Sequence, residues 1–301
     1  MGCAYSVLSR GLRVVVRVTE HTMTTDAQGE AATAGSTSRT RSLFFIGNAT
    51  MLLRLGPFTV LTDPNFLHKG DRAYLGHGLT SKRLQDPAIG VQELPELDLV
   101  VLSHMHGDHW DRVIRKHLDP ETPIVTTPHA ARRLKTREGF KRALAVATWE
   151  TDAFGKDGHT LRVTAMPGRH APLPVKRLLP PVMGSLLELG DAAGRPLHRI
   201  YITGDTLRVP ELDEIPRRHP DIDTCVVHLG GTKLPGGLMV TMDGSQGADV
   251  VELIRPGQAV PIHYEEYTVM KSPLVDFRAE VDRRGLTDKV AYVARGDTLD
   301  L

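Results

Sequence analysis

The chain has 301 residues, 41% of them hydrophobic and 24% charged, the profile of a soluble globular protein with length for one large core or two small ones. Its 37 basic and 36 acidic side chains nearly cancel to a net charge of +1 with histidine neutral, so bulk electrostatics give no reason to expect a nucleic-acid partner. Disorder throughout, a collagen repeat and a disulfide-stapled miniature are excluded; only Cys3 and Cys225 occur, so the expected compartment is reducing and cytoplasmic.

At the N-terminus, Met1-Gly2-Cys3-Ala4-Tyr5-Ser6 fits the short acyl-anchor pattern, although a fortuitous or mis-started beginning explains it better, with Met23 as an alternative start. Arg13 and Arg17 interrupt the apolar run that a secretory signal needs. Residues 20–41 are mostly Thr, Ala, Gly, Ser and charges, with too little apolar surface to offset the entropy of ordering. Residues 1–41 are therefore expected to be a disordered leader and 42–301 a single domain. No apolar run approaches the ~18 residues of a membrane span.

From Ser42 onward short apolar runs alternate with turn residues. Strands are predicted at Leu43–Ile46, Thr50–Leu55, Phe58–Thr62, Leu99–Ser103, Ile124–Thr127, Leu161–Met166, Ser185–Leu189, Arg199–Thr203, Thr224–Leu229, Ala259–Ile262 and Val290–Val293. Gly47 and Gly56-Pro57 punctuate the first three at hairpin distance. Helices are predicted from near Asp108 to before Asp119-Pro120, over Gln246–Arg255, and from Pro273 to about Arg284 with Ser272 as cap and Gly285 as stop. Strands first, then strands mixed with helices, fit two packed sheets covered by helices, an α/β (α+β) class.

The chemistry concentrates after Leu99-Val100-Val101-Leu102, in Ser103-His104-Met105-His106-Gly107-Asp108-His109-Trp110-Asp111. On extended backbone His104 and His106 reach the same side, as neighbouring ligands of one ion must, while Asp108 and His109 come a turn later and face another point. Four donors in six positions are crowded for one tetrahedral site and read as halves of two; Gly107 lets the backbone turn to present them. Further donors follow other apolar strands: His170, Asp205 and His263. Strand ends on one rim converge in space, so five histidines and two aspartates are expected to serve two ions. So many unpaired imidazoles and carboxylates would be costly without a cation.

These residues resemble the metallo-β-lactamase-fold hydrolases. The likeness rests on His104-Met105-His106-Gly107-Asp108-His109, on His170, Asp205 and His263, and on the Gly47-Asn48-Ala49-Thr50 and Leu61-Thr62-Asp63-Pro64 segments, and it spans roughly residues 42–300. Leu61-Thr62-Asp63-Pro64, Thr203-Gly204-Asp205-Thr206 and Pro261-Ile262-His263-Tyr264 are most similar to the branch with ascorbate-6-phosphate lactonase and N-acyl-phosphatidylethanolamine phospholipase D. Asn48 departs from that branch, where many relatives carry histidine, so no substrate role is carried over to it. The resemblance implies a four-layer αββα sandwich with a dinuclear site at one sheet edge: His104, His106 and His170 around one ion, Asp108, His109 and His263 around the other, Asp205 bridging. Zinc is the commonest expectation, with manganese or iron accepted by the same nitrogen and oxygen donors.

The expected function is a lactonase-like metallohydrolase whose dinuclear-metal-bound hydroxide attacks an ester, lactone or phosphodiester, with Asp108 orienting the water. A metal-dependent redox or oxygen enzyme and a non-catalytic metal-binding module are the alternatives. Asp111 is read either as support for a ligand histidine or as a first-turn helix charge. Substrate contacts are expected from Arg169, Lys176 and Arg177, which could receive an anionic group near the proline-rich 171–181 segment, and from His228 and Tyr264 beside strand ends. The expected partner is a small, anionic molecule; an oligomer stays open.

Overall fold

The structure is a computed structural model, and it describes residues 18–22, 41–172, 179–234 and 236–301. In chain order the first half gives β1 (Val18–Thr22), β2 (Arg41–Gly47), β3 (Thr50–Leu55), β4 (Phe58–Thr62), β5 (Arg72–Gly76), β6 (Leu79–Lys82), β7 (Leu99–Leu102), α1 (Ile114–His117), β8 (Ile124–Thr126), α2 (Pro128–Arg133) and β9 (Ala143–Ala145). The second half gives β10 (Thr151–Lys156), β11 (His159–Met166), β12 (Gly184–Gly190), β13 (Pro196–Ile202), α3 (Ile215–Arg218), β14 (Thr224–His228), α4 (Gly244–Ile254), β15 (Gln258–Ile262), α5 (Leu274–Arg283) and β16 (Thr298–Asp300).

Two seven-stranded sheets result, ordered β16-β2-β3-β4-β7-β8-β9 and β1-β10-β11-β12-β13-β14-β15, with β5-β6 as a separate ribbon. Period-two alternation explains the layering. In β3 and β7, Met51, Leu53, Leu99 and Val101 face the other sheet, where they meet Val163, Leu187, Ile200, Val226 and Val260. Their neighbours Leu52, Val100 and Leu102 face outward under α1 and α2, with Ile114, Ala131 and Leu134. On the second sheet the outward residues Leu186, Tyr201, Cys225 and Val227 lie under α4 and α5, against Val251, Ile254, Phe277 and Val281. Each fully buried aliphatic side chain is worth about 1.5–3 kcal/mol. The order is therefore helix, sheet, sheet, helix, the expected αββα sandwich.

Several elements differ from the sequence reading. Within the expected leader, Val18–Thr22 pair in parallel with β10; the rest of that stretch lies outside the described residues, apart from Arg41, which opens β2. Val290–Val293 is not a strand; Val290 makes a single bridge to Ala259. The helix expected from Asp108 shrinks to Ile114–His117, since the preceding residues are turns whose amides His109 N and Trp110 N both donate to His106 O. Pro273, not Ser272, caps α5; Ser272 Oγ instead accepts from Gly244 N at the start of α4.

What matters for function is direction. β4, β7 and β8 run parallel, as do β13, β14 and β15. The C-terminal ends of β4 and β7 from one sheet, and of β11, β13, β14 and β15 from the other, thus open on one rim.

Candidate metal centre

Every candidate donor follows one of those strand ends, and the structure brings all seven together. His104 Nε2, His106 Nδ1 and His170 Nε2 converge, with His106 Nδ1 3.0 Å from His104 Nε2 and 3.2 Å from His170 Nε2. Three ring nitrogens facing one another at that spacing cannot all be satisfied by shared protons. A tetrahedral ion with metal–nitrogen bonds of about 2.0–2.1 Å would separate its ligand nitrogens by roughly 3.3 Å. Beside this trio, Asp108, His109, Asp205 and His263 form a second group able to hold a cation, with one donor atom of each within 4.8 Å of the others. His109 Nε2 lies 3.3 Å from Asp205 Oδ2, and His263 Nε2 lies 3.5 Å from Asp108 Oδ2. The groups abut: the His104 and His109 ring centroids are 4.2 Å apart.

The buried atoms left without a hydrogen-bond partner support a cation here. They include Asp108 Oδ1, His109 Nε2, Asp205 Oδ1 and His263 Nε2, all in one group and all on buried residues. Orphaned buried polar atoms cost about 1–3 kcal/mol each, so their clustering fits a positive ion at the point they share.

Outer partners fix which nitrogen each ring presents. His170 Nδ1 donates to Val240 O at 2.7 Å, His263 Nδ1 to Leu229 O at 3.1 Å, and His104 Nδ1 to Ser103 Oγ at 3.0 Å. His109 Nδ1 faces Asp63 Oδ2 at 3.3 Å, while Asp63 Oδ1 accepts from Ser103 N and Ser103 Oγ. Asn48 Nδ2 donates to Asp108 O at 2.7 Å and thereby braces the loop. Such partners set tautomer and ring orientation at metal sites.

Electrostatics divide the two groups. Burial, reinforced by His109 and His106, pushes His104 well below the ordinary histidine value. Burial and His170 bring His106 down to about 3, and burial lowers His170 as well. These rings are held neutral, the form that binds a metal. In the second group burial opposes charge, but the carboxylates Asp205, Asp63 and Asp108 outweigh it and raise His109 well above the usual value. Burial likewise opposes ionisation of Asp205, yet His263 and His109 hold it well below the carboxylate range.

Backbone geometry shows how tightly the rim is built. Asn48, Asp63 and His263 all have positive φ, at 55°, 36° and 61°, a conformation that side chains rarely adopt and that clusters at functional sites. Gly107 is required for a reason other than the predicted tight turn: a Cβ there would lie 2.7 Å from Tyr74 N, because the β5-β6 ribbon packs directly on the histidine loop and Gly107 N donates to Tyr74 O.

The remaining sequence candidates have varied surroundings. Arg169 turns its guanidinium to Glu211 at 2.9 Å and lines a cavity with His170, Glu211 and Glu214. His228 has no exposed surface and stacks on His109 with ring centroids 6.1 Å apart. Tyr264 packs among the residues under α4 and α5. Lys176 and Arg177 lie outside the described residues. Asp111 supports no ligand histidine; its carboxylate accepts from Phe66 N, Leu67 N, Val113 N and Ile114 N, tying the loop after β4 to the start of α1. The reading from residues missed Asp63, Ser103 and Asn48 as supports. Asp63 was visible as a polar residue following an apolar strand, the signal that exposed Asp205 and His263.

A cavity of about 580 Å³ opens on the donors, with His106, Asp108, His170 and Asp205 in its lining. Comparison with known proteins agrees with this geometry. The family described as Beta-lactamase superfamily domain matches residues 59–264, and the chain belongs to that family. It is 25% identical over 233 residues to N-acyl-phosphatidylethanolamine-hydrolyzing phospholipase D 1 of Caenorhabditis elegans, covering 74% of this chain and 63% of that one. It is 27% identical over 217 residues to a metal-dependent hydrolase of Desulfitobacterium hafniense, covering 70% of this chain and 84% of the relative. Among solved structures, a possible metal-dependent hydrolase from Veillonella parvula superposes with a TM-score of 0.74 at 22% identity, over 87% of this chain and all of that one. The isothiocyanate hydrolase from Delia radicum gut bacteria does so at 0.71 and 21%, over 86% and 98%. Fold, donor clusters and family together set the chain in the metallo-β-lactamase superfamily, beside relatives named metal-dependent hydrolases.

Proposed function

We propose that the chain is a hydrolase carrying two divalent ions, most readily zinc, and that it cleaves an ester, lactone or phosphodiester of a small molecule. The observation that carries this reading is the convergence of seven buried donors from the ends of four strands, with unpartnered atoms clustered on Asp108, His109, Asp205 and His263. His104, His106 and His170 would hold one ion, Asp108, His109 and His263 the other, and Asp205 both. Bound there, the ions would lower the pKa of water from ~15.7 towards neutrality and polarise the substrate's carbonyl or phosphoryl oxygen.

The chain's own residues supply the rest. Asp108 lines the cavity, and its Oδ1 has no hydrogen-bond partner among the described residues. Burial would keep it protonated, but His109 and His263 hold it below the ordinary carboxylate value, so it is an acceptor at neutral pH. It can orient the attacking water, take its proton, and return that proton to the leaving oxygen as the ester C–O or P–O bond breaks. The apolar sandwich beneath fixes the donor geometry, and the outer partners keep each ring from turning.

The nematode relative is named for hydrolysing N-acyl-phosphatidylethanolamine and the bacterial structural neighbour for hydrolysing isothiocyanate. Chemistry so different on one fold means that the pocket, not the sandwich, selects the substrate. A redox reading is kept for one observation: CmlA, a diiron β-hydroxylase from Streptomyces venezuelae, shares the fold at a TM-score of 0.62 and 17% identity, and histidine and carboxylate donors also suit iron.

Metal analysis of natively purified protein, followed by turnover of lactones, carboxylic esters and phosphodiesters, tests the proposal. His106→Ala is expected to remove metal and activity together, with the circular-dichroism spectrum retained. Full turnover with no bound transition metal ends the metal-dependent reading, bound metal with no turnover ends the hydrolase one, and iron with air-sensitive activity transfers it to the redox one.

A further inference from the structure

The cavity beside the donors is amphipathic. Two small apolar groups contribute to its lining: Leu75 and Val269, packed on Leu67, Ala73 and Tyr267, and separately Leu234, packed on Leu179 and Val240. Neither group belongs to the sandwich core, so neither is needed to join the sheets. Both groups share the cavity with His106 and Asp108. Among the described residues, the lysine and carboxylate side chains in the lining are Asp108, Asp205, Lys233 and Lys271. Both lysines are exposed, and neither enters an ion pair among the described residues. Lys271 Nζ donates to Thr268 O at 2.9 Å, which holds it at the cavity edge.

We propose that this site takes an anionic amphiphile: an apolar arm lies against the Leu75–Val269 and Leu179–Val240 walls, and a carboxylate or phosphate is received by Lys233 and Lys271. The proposal rests on the hydrolase reading above and names its substrate class. Apolar lining rewards a hydrocarbon by the area it removes from water, and two lysines without an ion-pair partner among the described residues favour an oxyanion without the cost of breaking an existing ion pair. A volume of about 580 Å³ is within the range of small-molecule sites. The sequence reading looked for these cations in Arg169, Lys176 and Arg177. Among the described residues the cavity presents Lys233, which follows the Gly230-Gly231-Thr232 turn at the end of β14, and Lys271 before α5; Lys176 and Arg177 lie outside them.

The test uses the metal-loaded protein and calorimetric titration with inorganic phosphate, butyl, hexyl and octyl phosphate, octanoate and uncharged octyl glucoside. Inorganic phosphate reports what the ions alone attract. Each added methylene is expected to tighten binding about threefold until the walls are covered. The Lys233→Met/Lys271→Met double variant is expected to weaken octyl phosphate and octanoate about tenfold, an effect that shrinks at high salt, with metal content and octyl glucoside affinity unchanged. A preference for octyl phosphate or for octanoate identifies the group received, and either supports the inference. Octyl phosphate binding no tighter than inorganic phosphate, or the double variant binding as well as the parent, overturns it. Failure of the hydrolase reading shows differently, as bound metal with no turnover of any ester, and leaves these affinities readable.

Discussion

Asp63 illustrates how one side chain can govern the centre without facing the cavity. Its Oδ1 accepts two hydrogen bonds from Ser103, and its Oδ2 faces His109 Nδ1 at 3.3 Å and His228 Nε2 at 3.7 Å. Burial would raise its pKa, but His109 and His228 outweigh that and keep it ionised. It therefore fixes the His109 tautomer with Nε2 towards Asp205. Asp63→Asn keeps the volume and removes the charge; metal affinity, read by competition with a chromophoric chelator, is expected to drop about 10–100-fold. Unchanged affinity would detach Asp63 from the centre. Asp111 makes the contrasting case. Its spacing from Asp108 suggested support for a ligand, but a carboxylate in a turn satisfies the nearest amides first, and here it holds the backbone at residues 66–67 and 113–114.

Elements were legible in proportion to how strongly period-two burial marks them. β3 and β4 run over Thr50–Leu55 and Phe58–Thr62, as the apolar runs between glycine turns require. Strands with little apolar content were not readable: β5 (Arg72–Gly76) and β6 (Leu79–Lys82) form a ribbon outside both sheets, stabilised by contact with the Gly107 loop. Nothing local announces such an element, since its partner is distant in sequence. Helix starts erred where a cap had another use: Ser272 Oγ accepts from Gly244 N and donates to Asp276 Oδ2, joining α4 to α5. That junction is tight, because a Cβ on Gly244 would come 2.5 Å from Phe277 N. Backbone cannot give way as a side-chain tip can, so Gly244→Ala is expected to cost about 1–3 kcal/mol in chemical denaturation with metal content unchanged. An unaltered midpoint would show that the helices separate freely.

Across the whole molecule, the two donor groups respond to pH in opposite directions when no metal is bound. His104, His106 and His170 sit below the unfolded value of 6.5, so as pH falls below it the unfolded chain takes up protons that the folded rings refuse, and stability is lost. His109 and His263 sit above it; their contribution is complete below 6.5 and is lost as pH rises through their folded values. Metal-free protein should thus be most stable near that pH. An ion replaces the protons on the second group, so the gain in Tm on metal loading is expected to grow from about pH 6.5 to 8.5. Calorimetry with and without chelator checks this; a gain that stays flat or shrinks over that range contradicts the assignment of His109 and His263.

Each donor group also draws on both sheets. His104, His106, Asp108 and His109 follow β7, whereas His170, Asp205 and His263 follow β11, β13 and β15. A nascent chain leaving the ribosome would display the first four long before the last; the first group lacks a donor until His170 has emerged, and the second does not close until His263 has. Metal capture by the complete cage would accordingly be a late step of biosynthesis, coupled to the two layers meeting instead of preceding it.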